Sequence, residues 1–125
     1  MHFASVRLVT ADVDRLITFY GNLTGVAPTR FAPDFAQLTL PGGATLAISS
    51  ERLIAQFNAS AAIAGANRSA IIEFQVDDVD AEHKRLGDSV ETVMTPANMP
   101  WGNRSMLLRD PDGNVVNIFA RPRTA

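Results

Sequence analysis

Asp12-Val13-Asp14 opens the run Ala-Asp-Val-Asp-Arg-Leu-Ile-Thr-Phe-Tyr-Gly-Asn-Leu-Thr-Gly (11–25), and Asp78-Val79-Asp80 opens a second run 66 residues later. Each triplet follows a stretch suited to a strand, residues 3–9 in one case and 69–76 in the other. Each supplies helix N-cap chemistry, because a short side-chain oxygen can accept one of the free backbone N–H groups of the first turn. Val13, Leu16, Ile17, Tyr20 and Leu23 then recur at helical spacing and Gly25 stops the helix. Val79, His83 and Leu86 do the same in the second run, which Gly87 ends.

Outward from these helices, strands are expected near 27–32, at 35–40 and at 44–49, with Pro41-Gly42-Gly43 as a turn. In the second half they are expected at 89–95, 103–109 and 115–120. A loop with two prolines occupies 96–102, and Asp110-Pro111-Asp112-Gly113-Asn114 forms a strong turn. Residues 50–66 read as a short helix and a linker. The chain thus holds a duplicated strand–helix–strands unit. Module one covers about 1–56, the linker about 57–68 and module two about 69–125, all within a single domain. Each half is too small to bury a good core alone, so the two sheets are expected to complete one another.

The chain has 125 residues with 46% hydrophobic and 19% charged, which fits one globular domain. Net charge is -2, and only Arg121 and Arg123 cluster, so nothing suits nucleic acid. There is no cysteine, which excludes a disulfide scaffold, a thiolate metal site and a Cys nucleophile. No signal-like start and no membrane-length apolar run is present, so the expected location is the cytoplasm, with no membrane partner. No phosphate loop or hydrolase triad spacing is found, and the Asp-Pro-Asp-Gly-Asn segment lacks the later Glu of a calcium loop.

The helix at 11–25, the closing Leu-Arg-Asp-Pro-Asp-Gly-Asn-Val-Val-Asn-Ile-Phe (108–119) and Met99-Pro100-Trp101-Gly102-Asn103-Arg104 together resemble the glyoxalase/bleomycin-resistance/dioxygenase (vicinal oxygen chelate) superfamily. The resemblance covers nearly the whole chain, and 99–104 is similar to the bleomycin-binding branch. It implies an α+β fold of two tandem βαβββ modules, with curved mixed sheets around a cavity, and a homodimer. Lyases, isomerases, ring-cleaving dioxygenases and drug-binding proteins all use this fold, so function must be argued from the site.

The superfamily's metal enzymes place His, Glu or Gln at four strand positions. Matched here, these hold Ser5, Ala47, Ile71 and Asn117. Two have no donor atom, whereas a catalytic divalent ion needs imidazole or carboxylate donors. The only histidines, His2 and His83, lack ligand spacing. No metal and no other cofactor is therefore expected.

Strand alternation places other side chains on the cavity face. Arg7 and Glu73 are equivalent in the two halves, and pseudo-symmetry expects a charge pair between them; the alternative is that either contacts a polar ligand, so both are ligand-binding candidates. Glu73 is also the sole candidate catalytic residue, as a general base. Phe35, Gln37, Asn117 and Phe119 share such faces, and Phe31 and Met94 extend the apolar wall. Met99 and Trp101 are ligand-wall candidates, and Arg104 could pair with an anionic ligand or with Asp110.

The leading expectation is a non-metal protein that sequesters a small aromatic or drug-like molecule. The competing ones are a lyase, isomerase or dioxygenase with an atypical metal site or Glu73 as base, and an interaction protein with a filled cavity. Whether the chain is an enzyme stays open at this level.

Overall fold

The computed structural model describes residues 1–122; Arg123 lies outside the described residues. The chain divides into two units, Met1–Ala66 and the chain from Asn67 onward. Each contains one four-stranded mixed sheet and its helix, so the fold is α+β with two tandem modules.

The first unit runs β1 (Val6–Thr10), α1 (Val13–Thr24), β2 (Thr29–Ala32), β3 (Phe35–Thr39), β4 (Thr45–Ser50) and α2 (Glu51–Asn58). The sheet order is β1-β4-β3-β2, with β1 parallel to β4 and the other pairs antiparallel. The second unit repeats it: β5 (Ile71–Gln75), α3 (Val79–Leu86), β6 (Glu91–Asn98), β7 (Arg104–Arg109) and β8 (Val115–Ala120), in the order β5-β8-β7-β6. A short 3-10 turn, Gly87–Ser89, leads from α3 to β6.

The repeated Asp triplets act as the sequence requires. Asp12 accepts a hydrogen bond from the Arg15 N–H at 3.1 Å, and Asp78 accepts one from the Ala81 N–H at 3.0 Å. Both cap residues are extended, which turns the strand into the helix. Gly25 ends α1 at φ 73°, a left-handed conformation that costs glycine no steric penalty.

The cores follow the same repeat. On α1, Val13, Leu16, Tyr20 and Leu23 are buried, and so are Ala36, Leu38, Leu46 and Ile48 on the sheet beneath. In the second unit Val79 and Leu86 on α3 meet Met106, Leu108, Val116 and Ile118. Fully burying each large side chain contributes about 1.5–3 kcal/mol. Tyr20 is fully buried and stacks edge-on against Phe19 at 5.0 Å.

Two differences from the sequence reading concern edges. Strand β6 continues through Pro96 to Asn98, where a loop was expected over 96–102. Pro96 is tolerated because β6 is an edge strand and its register with β7 shifts between Met94 and Ala97, so the missing N–H breaks no regular ladder. Residues 57 and 58 belong to α2 rather than to a linker. The segment after them is tied down by polar contacts. The Ala64 N–H donates to Glu51 at 2.6 Å, and Asn67 donates to Asn114 at 3.0 Å.

Candidate functional site

Ion pairs identify the two faces of each sheet. Arg30 on β2 pairs with Asp14 on α1, and Arg104 on β7 forks onto Asp80 of α3 at 2.6 and 2.8 Å. The register rows through Arg30 and Arg104 therefore face the helices. The alternate rows form the opposite faces, free of α1 and α3.

In the first unit one such row is Arg7–Ala47–Gln37–Thr29, and the next is Val9–Ser49–Phe35–Ala32. The Arg7 guanidinium stands over the Phe35 ring, 5.8 Å from its centroid. Phe31 lies 5.9 Å from Phe35, is tilted by 44°, and stays 63% exposed. Arg7, Phe35, Gln37 and Ala47 thus share one face. Ser49 joins them unforeseen, and the Thr45/Ala47/Ser49 alternation with Leu46/Ile48 was its signal. Its side chain is fully buried, and its Oγ has no hydrogen-bond partner among the described residues.

In the second unit the corresponding rows are Glu73–Asn117–Leu107–Met94 and Gln75–Phe119–Ser105–Ala97. Asn117 donates from Nδ2 to Glu73 Oε2 at 2.8 Å. The carboxylate can only accept, so this bond fixes which way the amide points. The other end, Asn117 Oδ1, is buried without a partner among the described residues. Arg121 donates to Gln75 at 3.2 Å and lies 6.0 Å from the Phe119 centroid. Arg121 was seen in the sequence only as part of a small basic cluster.

Three candidates stand elsewhere. Arg104 lies on the helix-facing side, held by Asp80 and by Asn98 at 3.0 Å, so neither the open face nor Asp110 receives it. The side-chain hydrogen bond from Arg104 holds the Asp80 carboxyl below its ordinary 3.8 and the same bond raises Arg104. Asp110 instead accepts from Asn114 within its own turn. Met99 and Trp101 occupy the β6–β7 turn, closed by the Met99 N–H to the Asn103 carbonyl at 2.7 Å. That turn begins three residues along β7 from the Glu73 row, roughly 10 Å away at strand rise. Trp101 is 68% exposed. Arg7 lies against Phe35, and Glu73 accepts from Asn117.

The four positions matched to metal ligands fit a divalent cation poorly. Ser5 precedes β1, Ala47 and Ile71 carry no side-chain donor atom, and Asn117 offers only a neutral amide oxygen. Among the described residues no three His, Cys, Asp or Glu side chains stand together. Among the described residues no helix is long and apolar enough to cross a membrane.

A model of the glyoxalase/bleomycin resistance protein/dioxygenase superfamily matches residues 2–118. Solved structures with the same fold include a glyoxalase/bleomycin resistance protein/dioxygenase from Nocardioides, at 23% identity and TM-score 0.79, covering 100% of this chain and 87% of that one. A glyoxalase-related enzyme from Fulvimarina pelagi aligns at 22% identity and TM-score 0.80, covering 96% and 88%. A family enzyme from Burkholderia phytofirmans PsJN aligns at 18% identity and TM-score 0.80, covering 94% and 96%. Comparison with curated proteins gives no match. With a family model spanning both modules, this chain belongs to the glyoxalase/bleomycin resistance protein/dioxygenase superfamily.

Proposed function

We propose that this protein binds and sequesters a small aromatic or drug-like molecule without a catalytic metal, as a homodimer of the bleomycin-resistance type. The observation that carries the reading is the donor set at the four metal positions: Ser5, Ala47 and Ile71 offer one hydroxyl between them, and Asn117 adds one neutral amide oxygen, with no imidazole or carboxylate among the four. Open sheet faces that mix phenylalanine with a few polar groups support it, because small-molecule sites are mostly apolar with a handful of orienting polar atoms. Isothermal titration against a panel of aromatic compounds, with and without a chelator, tests it. Saturable binding that the chelator leaves unchanged is the expected result. No saturable binding at millimolar concentration would defeat the reading, and so would stoichiometric Zn, Ni, Mn or Fe(II) that stabilises the fold.

A second reading keeps Glu73 as a general base in a lyase, isomerase or dioxygenase. The Asn117–Glu73 hydrogen bond favours it, since a base must be held in one orientation to meet a proton. Full turnover by Glu73→Gln, in whatever reaction is found, removes it.

A further inference from the structure

We infer that the open sheet face of the first module is a site for a planar aromatic carboxylate, with Arg7 as anion anchor, Phe31 and Phe35 as aromatic wall and Ser49 as a hydroxyl donor on its floor. The inference rests on the sequestering function proposed above and names its ligand class.

The floor comes from the sequence of β4. Ala47 and Ser49 are the small residues of a strand that lies between β1 and β3. Side chains on β1 and β3 therefore stand on either side of a furrow about two strand spacings wide, roughly 10 Å. Arg7 and Val9 form one bank, Gln37 and Phe35 the other. To reach the Phe35 ring, the Arg7 side chain crosses β4 above these two small residues. Ala47 is 2% exposed and Ser49 0%.

Two features of this arrangement are open to a ligand, an exposed cation and a buried hydroxyl. Arg7 has an aromatic neighbour but no carboxylate partner among the described residues. Beneath its path the Ser49 Oγ is buried with no hydrogen-bond partner, an unfavourable state for a hydroxyl. An aromatic carboxylate answers both at once. Its ring replaces the guanidinium against Phe35 and meets the exposed Phe31. Its carboxylate takes the displaced guanidinium in a forked pair and accepts the Ser49 hydroxyl proton as a hydrogen bond. A neutral ligand leaves Arg7 unpaired, and a cationic one meets a like charge.

Titration of the full chain with naphthoate, naphthamide and naphthylmethylammonium decides the matter. Naphthoate is expected to bind at least tenfold more tightly than the amide, and the ammonium weakest. Arg7→Gln is expected to weaken naphthoate about tenfold to a hundredfold with little effect on the amide, and Arg7→Lys to recover part of the loss. Ser49→Ala removes an orphan hydroxyl, so its thermal stability should equal or exceed that of the parent while naphthoate binding falls several-fold. Equal affinities for naphthoate and naphthamide would overturn the carboxylate assignment and leave the sequestering function standing. Unchanged naphthoate binding in both the Arg7→Gln and Ser49→Ala proteins would overturn the location. Failure of all three compounds to bind while other members of the aromatic panel bind saturably would overturn the inference alone, and failure of the whole panel would overturn the function on which it rests.

Discussion

Replacing Asp110 by alanine should destabilise the second unit by about 3 kcal/mol. Asp110 closes the Asp-Pro-Asp-Gly-Asn turn between β7 and β8 and is only 4% exposed. Its Oδ1 accepts the N–H groups of Asp112 and Asn114, both at 2.9 Å, and its Oδ2 accepts Asn114 Nδ2 at 2.7 Å. Alanine removes both acceptor oxygens and with them these three bonds. The Asp112 N–H is only partly buried and recovers a bond with water. The Asn114 backbone and side-chain donors are buried and do not. Each lost bond to a charged acceptor costs about 1.5–3 kcal/mol, and the two buried losses share one relaxation, which gives about 3 kcal/mol rather than their full sum. That is a large share of an ordinary domain's stability and corresponds to a fall in Tm of roughly 10 °C. Asp110→Asn keeps one oxygen for the backbone donors but turns an amide nitrogen toward the Asn114 amide, so about half the loss is expected. Urea titration followed by Trp101 fluorescence reads the same unit, since this tryptophan lies in the β6–β7 turn. A loss below about 1 kcal/mol for alanine, or an asparagine variant as unstable as alanine, would refute the claim that these bonds hold the turn.

The Arg104–Asp80 pair makes acid stability titratable. Asp80 is held below its ordinary value in the folded state, so the pair's contribution is present above about pH 4 and is lost as pH falls and Asp80 protonates. Arg104→Met should lower the urea midpoint near neutrality slightly and flatten its dependence on acid, and an unchanged acid limb would show that the pair does not couple to folding. At Gly102, φ is +99° and an added Cβ would meet Pro122 Cγ at 2.8 Å, whereas Gly113 at φ +84° has open space around it. Both alanine substitutions strain the backbone by about 1 kcal/mol or more, and Gly102→Ala should cost measurably more than Gly113→Ala in the same denaturation assay. Equal losses would show that Pro122 gives way freely.

The repeat was legible because its signals are local. An Asp cap, an apolar face and a terminal glycine each act within a few residues, and the structure uses Asp12, Asp78, Gly25 and Gly87 where the sequence puts them. The β8 strand reads cleanly for the same reason: Val116 and Ile118 face the helix, and Asn117 and Phe119 face away. The partner of Arg104 was not legible, because the strand that begins with it, Arg-Ser-Met-Leu-Leu-Arg, does not alternate. Both of its faces carry apolar residues, so its phase is set only by pairing with β8 and by Asp80, a partner 24 positions away. Pro96 reads as a strand breaker, and only the edge position and register shift of β6, which are properties of the whole sheet, make it acceptable. The orphaned Ser49 Oγ and Asn117 Oδ1 could not be foreseen, because satisfaction depends on every neighbour in space.

Comparing the halves row by row separates what the fold needs from what varies. On the helix side both modules keep an Asp cap, and the second Asp of each triplet binds an arginine from the sheet, Arg30 in one and Arg104 in the other. Those contacts hold helix to sheet. On the open side, equivalent positions carry opposite chemistry: Arg7 against Glu73, Ala47 against Asn117, Val9 against Gln75. Phenylalanine and serine even exchange strands, Phe35 beside Ser49 in the first unit and Phe119 beside Ser105 in the second. Either order places one ring and one hydroxyl on the row, so bulk does not choose between them. Sheet pairing does not choose either, because it is made by backbone groups that every one of these residues carries. The open faces are therefore where one backbone plan presents two different polar surfaces: each sets an arginine by a phenylalanine, Arg7 at Phe35 and Arg121 at Phe119, and the second adds a carboxylate braced by an amide. A difference that folding does not require is the kind of difference that binding can use.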